Sequence, residues 1–129
     1  MGDVEQAKHV IELMVLTAWA DGHVEGTEAL AIHKMIATIP ALKDAGLSGD
    51  ISKSTRQRMQ QIGLEKCLEE STSGIHDPLY KELAFQCCAR VMGADGDFAV
   101  AEAKVLGDLQ AVFGLSPADV RRLLVLATR

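Results

Sequence analysis

The sequence predicts a single all-α domain over residues 1–129, a compact bundle of about six or seven helices built from two related helix-turn-helix units. Three observations carry this. Apolar residues recur at spacings of three and four along most of the chain. No stretch alternates with period two in β-branched residues, so strands are not expected. A short Ala-Asp-Gly motif occurs twice, each time between two helical segments.

Taken in order, Val4, Ala7, Ile11, Met14, Val15 and Ala18 line one face, and Val10, Leu13 and Leu16 widen it, so the first helix is long and deeply buried. Ala29, Ile32, Ile36 and Ile39 repeat the spacing over about 26–39. There Pro40, which lacks an N–H and clashes with the preceding turn, ends or restarts the helix. Residues 41–52, with Gly46, Ser48 and Gly49, read as a loop holding at most one short helical turn. From about Ser54 to Glu70 the chain is polar, with Met59, Ile62, Cys67 and Leu68 as a thin apolar stripe. This predicts one exposed helix, closed by Ser71-Thr72-Ser73-Gly74. Asp77-Pro78 is an N-cap followed by proline at the first helical position, and Tyr80, Leu83, Ala84, Cys87 and Val91 form the face that follows. Leu106, Leu109 and Phe113, flanked by Val105 and Val112, mark another helix, with Gly114 as its stop. Ser116-Pro117-Ala118-Asp119 is a capping-box variant that opens a last helix on Val120, Leu123, Leu124 and Ala127.

Composition narrows the function classes. At 129 residues and 48% hydrophobic, the chain can bury a core without disulfides. Cys67, Cys87 and Cys88 are an odd count with an adjacent pair, which reads as reduced, cytoplasmic cysteine. A net charge of −5 disfavours nucleic acid and anionic membranes, and five aromatic residues are too few for a base-stacking platform. The longest apolar run, Ile11 to Ala20, is short and carries Glu12, so no membrane span is expected. The acidic start of the chain does not fit a signal peptide. His9, His23, His33 and His76 form no pair at zinc-binding spacing. No nucleophile elbow, phosphate loop or dinucleotide fingerprint is present, so no enzymatic activity is expected. Lys53, Arg56 and Arg58 read as a solvated face, and Trp19 as core or as a partner anchor.

The informative feature is the repeat. Ala20-Asp21-Gly22-His23-Val24 and Ala94-Asp95-Gly96-Asp97-Phe98 share Ala-Asp-Gly, a variable residue and an apolar one. Each is followed by a glutamate, Glu28 or Glu102, and then by Ala29 or Ala103. Asp-Gly makes a tight turn, Val24 or Phe98 tucks into the core, and the glutamate falls near the third position of the next helix. There it meets free N–H groups and the positive end of the helix dipole. The same spacing coincides with the second half of a calcium-binding EF-hand loop, but Thr17, Trp19, Val91 and Gly93 occupy the earlier ligand positions. Neither copy is therefore an EF-hand. If the two turns face each other, Asp21, Glu28, Asp95 and Glu102 gather around one hydrated divalent cation, Ca²⁺, Mg²⁺ or Mn²⁺.

The paired Ala-Asp-Gly motifs, the helix before each, and the Gly-Leu-Ser-Pro that opens the final helix resemble the tellurite-resistance TerB family, from Val4 to Leu126. A similar fold occurs as an N-terminal domain in some DnaJ-type co-chaperones. The resemblance implies a cytosolic domain of about seven helices, without enzymatic activity. It also implies an acidic divalent-metal site at Asp21, Glu28, Asp95 and Glu102. Two readings stand at this point: a cation-binding stress-response module, and a structural domain, co-chaperone-like, whose turns only cap helices and whose faces bind another protein.

Overall fold

The computed structural model describes residues 2–20, 26–46, 51–93 and 100–127. Among them are eight α-helices and no strand: α1 (Gly2–Trp19), α2 (Gly26–Thr38), α3 (Pro40–Gly46), α4 (Ile51–Ile62), α5 (Leu64–Ser73), α6 (Pro78–Met92), α7 (Val100–Phe113) and α8 (Pro117–Ala127). None is long and apolar enough to cross a membrane.

α1 is the axis of the bundle. Ala7, Val10, Ile11 and every residue from Leu13 to Ala18 are buried, the pattern of a helix surrounded by others rather than laid on one face of a core. It touches every helix from α2 to α7, and α6 most extensively. α6 supplies Ala84, Phe85, Cys87, Cys88, Val91 and Met92 to the same core, and Leu42, Val105, Leu109 and Leu123 close it.

Polar contacts set the direction of the central helices. Ser71 at the end of α5 donates to Glu12, while the Gln6 side-chain carbonyl accepts from the backbone N–H groups of His76 and Asp77, at 2.9 and 2.8 Å. The chain thus descends α1 antiparallel through α5 and turns beside Gln6. α6 then climbs back parallel to α1, since Cys88 hydrogen-bonds to Thr17. Eleven residues separate Gln6 from Thr17 and Asp77 from Cys88, the same rise of about 16 Å on both helices. α1 and α6 therefore finish at one end of the bundle.

The caps expected at Asp77, Gly114 and Ser116 are present. Asp77 accepts from Leu79 N–H at 2.9 Å with Pro78 behind it. Gly114 has φ 66°, and its N–H and that of Leu115 reach the carbonyls of Ala111 and Gln110, the paired bonds of a Schellman stop. Ser116 Oγ accepts from Asp119 N–H at 3.1 Å, and the Asp119 carboxylate accepts from Ser116 N–H at 3.2 Å, a reciprocal capping box.

The eight helices among the described residues are close to the six or seven expected. Two expectations are corrected. Pro40 restarts the helix at once, because the Ile39 carbonyl accepts from both Leu42 and Lys43, so α3 makes about two turns where a loop with one turn is expected. The polar stretch is two helices, not one from Ser54 to Glu70. α4 begins at Ile51, and Gly63, at φ 90° and ψ 162°, breaks the path before α5. That conformation is essentially restricted to glycine. The stretch is also less exposed than its composition suggests, since Thr55, Cys67, Leu68, Ser71 and Thr72 are buried against α1 and its neighbours.

Candidate functional site

The two helices that follow the repeated motifs open at equivalent points. α2 begins at Gly26 and α7 at Val100, each five residues after its motif aspartate, so Glu28 and Glu102 are both third residues of their helices. This is the position where a carboxylate meets unpaired backbone N–H groups and the positive end of the helix dipole. The helices that lead into the motifs, α1 and α6, run parallel and end together at Trp19 and Met92. Asp21 and Asp95, and the apolar turn residues Val24 and Phe98, lie outside the described residues, as do the side chains of Glu28 and Glu102. Among the described residues, no group of three or more His, Cys, Asp or Glu side chains is arranged to hold a metal.

A polar cluster among the described residues centres on α1. Glu12, the only charged residue in the deeply buried part of α1, keeps 16% of its side chain exposed. Its Oε1 accepts from Ser71 Oγ at 3.1 Å and lies 2.6 Å from His9 Nδ1, and Oε2 is 3.7 Å from the Arg58 guanidinium, which also pairs with Glu70. A carboxylate at the edge of a core demands such partners, and these tie α1 to α4 and α5. Serine and histidine both address the same carboxylate oxygen. A nucleophilic arrangement instead places the imidazole between hydroxyl and carboxylate, so the cluster is a structural clamp. The lone Glu12 inside an apolar run was its one sequence signal, and Arg58, read as part of a solvated face, is its distant partner.

The cysteines are inert in this setting. Burial, reinforced by the two thiols' proximity and opposed by Arg90, pushes Cys87 up to about 12. Burial does the same for Cys88, opposed by its hydrogen bond with Thr17. Cys67 is also raised by burial, with Arg58 pulling the other way. Thiols held this far above neutrality carry no thiolate for attack or metal capture.

A family model described as "Tellurite resistance protein TerB" matches residues 7–125. No curated protein and no solved structure matches the chain.

Proposed function

Because the chain belongs to the TerB family, we propose that it is a TerB-type, non-enzymatic stress-response module of the cytoplasm. It binds a divalent cation through Asp21, Glu28, Asp95 and Glu102 and acts on another protein rather than on a substrate. The observation that supports this reading is the parallel pairing of α1 and α6, the helices that precede the two motifs in the chain, which end together at Trp19 and Met92. The matched starts of α2 and α7 support it, since both glutamates stand at the same helical position.

The chemistry follows from the donors. Four carboxylates offer hard oxygen ligands, suited to Ca²⁺, Mg²⁺ or Mn²⁺, with water completing a shell of six to eight. Brought together without a cation they repel one another, so one carboxyl must take up a proton or the site must gain positive charge. The non-enzymatic part of the reading is supported by the buried thiols, which are held protonated, and by Ser71, whose hydroxyl is committed to Glu12.

The test is calorimetric titration and thermal melting of chelator-treated protein with each of the three cations. At free cation 100 times Kd, linkage adds about 2.7 kcal/mol, several degrees of melting temperature for a domain of this size. Asp21→Asn with Asp95→Asn removes that gain. If the glutamates only cap α2 and α7, cations leave the melting temperature unchanged, and Glu28→Gln or Glu102→Gln each costs at most about 1 kcal/mol.

A further inference from the structure

α2 does not lie flush on the core. Its Ala29, Ile32 and Ile36, with His33 beside them, stand opposite Ile11, Val15, Ala18 and Trp19 of α1, and the first residues of α4, Ile51 and Ser52, close the third side. Between the three helices is a cleft of about 340 Å³, within the range of about 300–1,000 Å³ typical of small-molecule sites. Its floor is aliphatic. Its polar groups are confined to the mouth, where His33 and Ser52 are exposed.

The mouth also carries positive charge. The Arg56 guanidinium lies over the Trp19 ring, 5.4 Å from its centroid, a geometry that fixes a cation at the wall of the cleft. Among the described residues, no carboxylate lines the cleft. An apolar floor with a guanidinium at its wall suits a molecule with a hydrocarbon tail and an anionic head.

We propose that the cleft between α1, α2 and α4 binds a straight-chain aliphatic monocarboxylate, its tail against Ile11, Val15, Ile32 and Ile36 and its carboxylate on Arg56 and His33. The volume suits a chain of about eight to ten carbons rather than a long lipid. Its lining residues Trp19 and Ala29 stand close in the chain to Asp21 and Glu28 of the proposed cation site, but the proposed contacts use none of that site's four carboxylates.

The experiment is titration calorimetry of chelator-treated protein with decanoate below its micellar concentration, against decanol and decylamine as probes with the same tail. One saturable decanoate site per chain is expected, about tenfold tighter than decanol and tighter still than decylamine, the difference one charge-assisted hydrogen bond makes. Arg56→Gln brings decanoate down to the level of decanol. Ala29→Phe and Ser52→Phe, at exposed positions that point a ring into the cleft, each abolish binding while circular dichroism shows the helical fold intact. The proposal is overturned if decanoate shows no saturable binding, if decylamine or decanol binds as tightly, if Arg56→Gln leaves affinity unchanged, or if both phenylalanine variants still bind. Since no divalent metal is present, failure here leaves the cation reading untouched, and failure of cation binding leaves this one standing.

Discussion

Thr55 shows how much a single buried atom matters. It is 3% exposed on α4, and among the described residues its hydroxyl has no hydrogen-bond partner, so folding strips it of water and returns nothing. Thr55→Val keeps the branched shape and deletes the orphan group. It should stabilise the protein by about 1 kcal/mol, visible as a raised denaturation midpoint with unchanged slope; a loss of stability would mean that the hydroxyl is satisfied in solution. Gly74 makes the opposite point. Its φ of −83° is open to any residue, so the sequence expectation of a glycine helix stop names the right residue for the wrong reason. What Gly74 provides is space: a Cβ there would overlap the His9 imidazole, which is held in place by Glu12. Gly74→Ala should cost about 1–3 kcal/mol, and the cost should shrink in a His9→Ala background, measured as a double-mutant cycle.

Helices are where sequence reading works best and where its failures have identifiable causes. The start of α8 is legible, since Ser116 and Asp119 cap each other, but of its expected apolar face Leu123 is the buried anchor while Leu124 is exposed. Ser116→Ala should cost about 1 kcal/mol. Hydrogen bonds from Ser116 and Arg122 hold the Asp119 carboxyl below the usual carboxylate range. A depressed folded-state pKa means that this contribution is complete above the unfolded value of about 3.9 and is lost as pH falls through the folded one. Wild type and Asp119→Asn should therefore differ in stability at neutral pH and converge in acid. α4 and α5 were misread as one exposed helix because their composition is polar and their apolar stripe thin. Deciding at Gly63 required knowing that the chain must turn to lay Cys67 and Leu68 on the core. The extra turn in α3 was hidden likewise, since Pro40 is equally compatible with ending a helix and with starting one.

At the scale of the whole molecule, the repeat was readable and the clamp was not. Two motifs of one pattern announce themselves in sequence, and the equal starts of α2 and α7 agree with them. Glu12, His9, Arg58, Glu70 and Ser71 meet only because α4 and α5 fold back on α1, a pairing that no local spacing encodes. The three thiols, all buried, report on this architecture. They should resist a disulfide-exchange reagent at pH 8 until denaturant opens the bundle, and a thiol that reacts at once in native protein would contradict the packing around α1 and α6. Because their folded pKa values are raised, the stability they contribute is complete below about pH 8.5 and is lost as pH rises through the folded values, which for Cys87 and Cys88 are about 12. The central place of α1 has a cost during synthesis. α1 precedes every helix that covers it, and its most extensive partner, α6, is complete only at Met92. At about 5–20 residues per second, a ribosome needs about 4–15 s to travel from Trp19 to Met92. Throughout that interval the helix that ends up at the centre of the core lacks its main cover, and holding chaperones have their longest opportunity to bind it.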